Sequence, residues 1–315
     1  MYNQEQKKKF ISSLTKSAST AQNAETLFAA TEPYEELAEK DICAFSVDEL
    51  QPVADEVFAL RSNGKWLSRF ILQEYSKWCI AMGVEGADNS IYHINLLSLG
   101  KIKRQMVSGP AHLQRYLDAV YDPEKEETID NLYRCYLWMA FCGIEDETAL
   151  EMKASAVDLQ SMTILLGNDE IPLYRESIPA FKKAVELTEF TYKHPNYQEI
   201  RRQRIPGDEL MRGIKAMPRI KPFRVRLSRT LAAAHKEGKT QELLSYERIK
   251  LSGLFYRVYE QERAGIPPDF SEAAIKFTEG KDYHLPKGRT IRGIQNSKAK
   301  EYMEDYQRWK LAFVV

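Results

Sequence analysis

The sequence predicts a mainly α-helical chain with one small β-hairpin, an α+β protein of two domains. Apolar residues recur at helical spacing through most of the chain. Only residues 162–173 carry a paired-strand signal with a turn between the strands. At 315 residues the chain exceeds the roughly 250–300 that one core organises.

The elements follow in order. Residues 4–14 put Phe10, Ile11 and Leu14 on one helical face, and short helices are expected at 20–29 and around 35–39. Ser46-Val47-Asp48-Glu49 is a capping box, opening a helix whose apolar face is Leu50, Val53, Val57, Phe58 and Leu60. Asn63-Gly64 breaks it. Residues 65–82 form a long amphipathic helix, on which Trp66 and Trp78 read as core, and Gly83 stops it. Residues 84–108 are a turn-rich connector, followed by a short helix at 111–120. A strongly apolar helix at 128–142 ends at Gly143, and another spans 146–153. The hairpin pairs 162–166 with 170–173. A helix is expected over 178–192. Residues 195–229 are basic and extended, interrupted by Pro195, Pro206, Pro218 and Pro222. Helices resume at 230–236, 246–263 and 297–313. No repeat of 20–50 residues appears, which disfavours a solenoid.

Forty-five bases balance forty-five acids, but the neutral total is a cancellation. Residues 1–60 hold eleven acids against five lysines, a net charge of −6, while residues 201–229 hold ten bases against two acids, a net charge of +8. A basic tract of that density suits a phosphate backbone; its bland competitor is a solvated loop. The four cysteines (Cys43, Cys79, Cys135, Cys142) form no CxxC and read as buried thiols of a reducing compartment. The five histidines are scattered, so neither a metal nor a cofactor is expected. The first residues lack the apolar core of a signal peptide and no apolar run could span a membrane, so the expected location is the cytoplasm and no membrane partner is expected.

The string LWMAFCGIEDETALEMKASAVD at 137–158, followed by the 162–173 hairpin, resembles the opening of the catalytic domain of tyrosine recombinases, the phage integrase family. Cys142-Gly143-Ile144 stands for that family's Thr-Gly-Leu. The segment KDICAFSVDEL at 40–50 with Trp66 to Cys79 resembles its N-terminal helical core-binding domain. The resemblance implies a core-binding domain with connector at 1–108 and a catalytic-like domain at 109–315, gripping a DNA duplex from two sides. It also reaches a narrower group, the integrase-like master repressors that maintain lysogeny in SPβ-type temperate phages.

The departures concern chemistry. The resemblance places the family's phosphate-clamping Arg at position 145, where this chain has Glu145; a carboxylate there repels the phosphate that the guanidinium would stabilise. Glu145-Asp146-Glu147 as a metal cluster is weaker than its alternative, a helix N-terminus favoured by the macrodipole. The hairpin turn Gly167-Asn168-Asp169-Glu170 holds no base where the family has its Lys. The expected counterpart of His-x-x-Arg, Lys250 to Gly253, has neither residue in register, and His284 is the sole candidate for the late His. Tyr302 and Tyr306 lie where a nucleophile helix could be, but tyrosine alone does not cut DNA without a clamp and a leaving-group acid. No catalytic residue is therefore expected, and the chain is not expected to be an enzyme.

The expected function is a sequence-specific, double-stranded DNA-binding repressor, acting at phage operator sites and leaving oligomerisation on the DNA open. The expected DNA contacts are Lys65, Arg69, Lys101, Lys103, Arg104, Arg201, Arg202, Arg204, Lys215, Arg219, Lys221, Arg224, Arg226 and Lys250. Two alternatives stay open: a divergent active recombinase, and a helical protein-binding regulator of lysogeny.

Overall fold

The computed structural model describes residues 1–14, 18–57, 65–94, 99–121, 128–194, 197–213, 218–279 and 290–314. The chain divides into two compact units, Met1–Ile102 and Lys103–Val315.

The first unit is helical: α1 (Gln4–Ser13), α2 (Ala18–Ala38), α3 (Val47–Val57) and α4 (Lys65–Ala81), with a 3-10 turn at Ile42–Ala44; α5 (Leu99–Gln105) crosses the division between units. The two short helices expected at 20–29 and 35–39 are one continuous α2, with Pro33 inside it. Proline removes one ladder hydrogen bond. The helix runs on because Ala24, Leu27 and Phe28 before the proline and Glu35 after it are all buried. The Lys7 ammonium meets both Glu35 carboxylate oxygens at 2.5 Å, and both side chains are fully buried. Glu35 also accepts from Thr31 Oγ1 (2.9 Å) and the Ile42 amide (2.8 Å), so its remaining lone pairs are satisfied. The capping box forms as expected: Ser46 N–H donates to Glu49 (2.8 Å), and Glu49 N–H donates back to Ser46 Oγ (3.4 Å). Phe10, Phe28 and Tyr75 pack edge to face at the centre of this core, with Trp78 partly buried against it.

In the second unit, α6 (Pro110–Val120) precedes α7 (Thr128–Phe141). Every residue from Cys135 to Phe141 is fully buried, as expected of the apolar C-terminal half of this helix. Then come α8 (Asp146–Glu151), β1 (Val157–Asp158), β2 (Thr163–Leu166), β3 (Asp169–Pro172) and α9 (Ile178–Glu186). β1, β2 and β3 form an antiparallel sheet in that order, with Ile164 opposite Ile171 and Leu166 opposite Asp169. Gly167, at φ +61°, takes the first central position of the two-residue turn, where positive φ matches the twist of the strands. A second antiparallel pair, β4 (Glu189–His194) and β5 (Tyr197–Gln203), follows. The helix expected over 178–192 therefore stops at Glu186. Beyond it Phe190 and Tyr192 alternate with polar residues, the period-two pattern of a strand.

The remaining elements are α10 (Ile220–Lys236), α11 (Tyr246–Arg263), α12 (Ser271–Thr278) and α13 (Ile291–Phe313). Residues 195–229 are thus not one extended basic tract. They supply β5, a compact turn and the first half of α10. Pro222 sits in the first turn of α10, where no intrahelical donor is lost. Helix α11 packs directly on α7: a methyl group added to Gly253 would lie 1.9 Å from the Phe141 carbonyl oxygen, so only glycine fits that crossing. Trp309 of α13 is fully buried and donates its indole N–H to the Val107 carbonyl (3.0 Å).

Candidate nucleic-acid interface

The end of α7 sets the geometry of position 145. Gly143, at φ +91°, terminates the helix in a Schellman turn: its N–H bonds the Ala140 carbonyl (2.8 Å) and the Ile144 N–H bonds the Met139 carbonyl (3.0 Å). Arg257 of α11 fills the space beside Gly143 and donates to the Phe141 carbonyl at 2.7 Å. Tyr246 donates its hydroxyl to the Ile144 carbonyl at 2.8 Å. Glu145 is thereby fixed as the residue before α8 and directed at α11.

There Lys250 Nζ lies 2.7 Å from Glu145 Oε2 and 3.2 Å from a Glu247 carboxylate oxygen. The position facing Glu145 is thus Lys250, with Glu247 one turn before it. Arg224 of α10 forms an ion pair with Asp146, the first residue of α8. Three carboxylates (Glu145, Asp146, Glu247) and two cations (Lys250, Arg224) meet here. The charges of these five side chains sum to −1.

Both tyrosines on α13 have raised pKa values. Burial holds the Tyr302 phenol up at about 12, and the carboxylates of Glu301, Glu247 and Glu145 add to the rise. Tyr306 is fully buried and donates its hydroxyl to Glu262 at 2.5 Å; burial and that carboxylate both raise its pKa. His284 lies outside the described residues. Among the described residues no group of three or more His, Cys, Asp or Glu side chains could hold a metal ion.

The basic residues separate into several groups. On α10 the apolar stripe Phe223, Leu227, Leu231 and Ala234 faces the core, with Phe223 against the rings of Tyr133 (4.9 Å) and Tyr136 (4.8 Å). The other faces expose Lys221, Arg224, Arg226 and Arg229, and Arg219 precedes them at the N-cap; the helix contains no acid. Arg226 rests over the Tyr133 ring at 5.9 Å. Sequence reasoning missed the helical placement of these bases and left out Arg229, although the four-residue spacing of Phe223, Leu227 and Leu231 signals it.

Arg202 on β5 is exposed, and Arg201 is paired with Glu189 at 3.6 Å. Lys103 is exposed and Arg104 half-buried on α5. In the first unit Arg69 donates to the Tyr92 carbonyl at 3.3 Å. The Lys65 side chain and Lys215 lie outside the described residues.

Two expected contacts are corrected. Lys101 is 1% exposed, which removes it from any surface a duplex could reach. Arg204 is 7% exposed, and its guanidinium donates to the backbone carbonyls of Arg212, Ala184, Leu187 and Leu210 at 2.6–3.3 Å. It organises the turn after β5 instead of meeting phosphate. Burial lowers its pKa to about 10, with Arg212 adding to the effect. Lys250 is likewise engaged by two carboxylates.

Residues 1–81 match the family model described as MrpR, N-terminal core-binding domain. No curated protein matches the chain. Among solved structures, the Tn1549 transposon integrase in complex with circular intermediate DNA is similar at 12% identity and a TM-score of 0.36, covering 94% of this chain and 98% of that one. A point variant of the same integrase with a circular intermediate DNA is similar at 13% identity and a TM-score of 0.34, covering 96% and 98%. Among the described residues no helix is long and apolar enough to cross a membrane.

Proposed function

We propose that this chain is a double-stranded DNA-binding repressor built on a tyrosine-recombinase plan, and that it does not cut the DNA it binds. Its role is to maintain prophage lysogeny at phage operators, as in the integrase-like master repressors of SPβ-type phages. The observation that carries the loss of cleavage is the pair Glu145–Lys250, at 2.7 Å. A strand-cleaving site stabilises the extra negative charge of a pentavalent phosphate with preorganised cations. A carboxylate at position 145, with the neighbouring Lys250 paired to it, supports this reading.

The DNA-binding part rests on three features: the acid-free basic helix α10, the exposed Arg202 and Lys103, and the core-binding match of residues 1–81. Residues such as Lys221 and Arg229 carry their charge on an ordered surface, where it can replace condensed counterions.

The test is a mobility shift on phage-genome fragments across a salt series, with a promoter–reporter readout. Repression together with salt-sensitive binding to particular fragments supports the reading. Repression without any salt-sensitive shift would favour a protein-binding regulator.

A further inference from the structure

The C-terminal end of α2 carries an apolar face that the core of the first unit does not cover. Ala29, Pro33 and Leu37 follow at four-residue spacing and are all exposed, Leu37 at 87%. Glu36 and Glu39 flank Leu37, are exposed, and have no ion pair among the described residues. Lys40, the next base in sequence, is taken by Glu49 at 2.8 Å. The last turn of α2 contains no base. Unpaired carbonyls make a helix C-terminus negative, so acids there weaken the helix where lysine or arginine would strengthen it. The arrangement instead concentrates negative potential around an exposed leucine. Helix α10 has the opposite sign. Lys221, Val225 and Arg229 form one exposed line at the same spacing, with Val225 at 49%, and the first turn holds no acid. Arg219 at the N-cap and Lys221 sit at the positive end of that helix, again the unfavourable end for their charge. Each helix thus presents an apolar centre with a charged rim, and the two rims are of opposite sign.

We propose that the α2 end of one copy docks on α10 of a second copy, Leu37 against Val225, with Glu36 and Glu39 facing Lys221 and Arg229. The contact joins different surfaces of the two copies and is therefore heterologous. Charge complementarity selects this pairing over α2 with α2 or α10 with α10, where like charges would meet. The contact covers bases that the proposed function gives to DNA, and this consequence rests on that reading: a duplex and a second copy exclude each other at α10. A rim of exposed charges is screened by salt, so the contact weakens as ionic strength rises.

The test measures the mass of the full chain by sedimentation equilibrium, without DNA, over a concentration series at low and at physiological salt. The average mass should rise above the monomer with concentration at low salt and fall back as salt is added. Glu36→Lys with Glu39→Lys should stay monomeric, and so should Lys221→Glu with Arg229→Glu. An equimolar mixture of these two variants should associate again, because the first keeps α10 and the second keeps α2. The first variant should lose no thermal stability, since cations suit a helix C-terminus, so its failure to associate would not be unfolding. A short duplex should dissolve the wild-type assemblies. A wild-type chain that is monomeric throughout the low-salt series would overturn the proposal. So would association that survives either charge reversal, a mixture that stays monomeric, or assemblies that persist with duplex bound. Self-association without DNA binding would strike the repressor reading alone, whereas DNA binding by a strictly monomeric chain would strike this contact alone.

Discussion

Lys250 and Glu145 are 105 positions apart in the chain and 2.7 Å apart in space, joined across the N-terminal turn of α8 and the first turns of α11. Helix α7 makes the meeting possible. Its Schellman end fixes where residue 145 starts, and Gly253 lets α11 approach α7 closely enough for Lys250 to reach. Removing that partner should matter little energetically, because Glu145 is mostly exposed and Glu247 still pairs with Lys250. Glu145→Gln should raise general DNA affinity by no more than about fivefold, the scale of a solvent-screened pair. It should produce no cleavage, since one freed lysine does not supply the remaining groups. A titration by fluorescence anisotropy checks the affinity; a rise of two orders of magnitude would mean that the pair masks a true phosphate clamp.

Arg204 and the α10 bases should respond differently to the same substitution. Lys221→Gln, Arg226→Gln and Arg229→Gln should leave folding intact. Each neutralised phosphate-binding base should flatten the log–log salt dependence of binding by about one unit, for all DNA sequences alike. Arg204→Gln should instead destabilise the second unit by roughly 3 kcal/mol or more, because several buried carbonyls lose a charged donor. Paired thermal melts and salt-series binding curves separate the two behaviours. Unchanged stability in Arg204→Gln would return that residue to the DNA surface.

Gly253→Ala tests the helix crossing itself. The new methyl group would meet a backbone oxygen, which cannot rotate away, so α7 and α11 must separate. A loss of about 3 kcal/mol is expected, at the upper end for overpacking. Alanine outranks glycine in helix propensity, so gain of stability at this position would contradict the close approach.

The α3 cap gives a pH signature. Hydrogen bonds from Lys40, and then from Ser46, hold the Glu49 carboxyl down at about 2. A depressed carboxyl pKa contributes stability that is fully present above its unfolded value of about 4.3 and disappears as pH falls through about 2. The melting-temperature difference between wild type and Glu49→Gln should therefore be constant above roughly pH 5 and shrink to nothing near pH 2. A difference that persists at that acidic end would mean that the charge plays no part in the cap.

The elements legible in sequence are those whose signal is local. The Ser46–Glu49 box, the apolar second half of α7 ending at Gly143, and the hairpin around Gly167 each declare themselves within a few residues. The β4–β5 pair does not, because Ile178 to Ala184 carries a helical pattern that masks the switch to period two at Phe190. Pro222 reads as a breaker, although a first-turn proline suits a helix, and this hides the start of α10. The candidate DNA-binding residues meet a different limit. Counting charges along residues 201–229 cannot distinguish Arg204, whose guanidinium the backbone surrounds, from Arg226, which lies exposed on α10. The acidic residue Glu145 is visible directly after Gly143 and Ile144. Its partner Lys250 is not, since nothing in a sequence shows which base a distant helix will bring to it.

The most direct test of the account is a covalent-trapping assay with suicide duplexes. Operator fragments carrying a nick beside each candidate scissile phosphate would hold a recombinase on DNA as a phosphotyrosyl adduct. The full chain should shift these fragments in a native gel and release every one of them in a denaturing gel, with Tyr302→Phe and Tyr306→Phe binding as wild type does. A denaturant-resistant adduct that either substitution abolishes would contradict the account and make the chain an active recombinase.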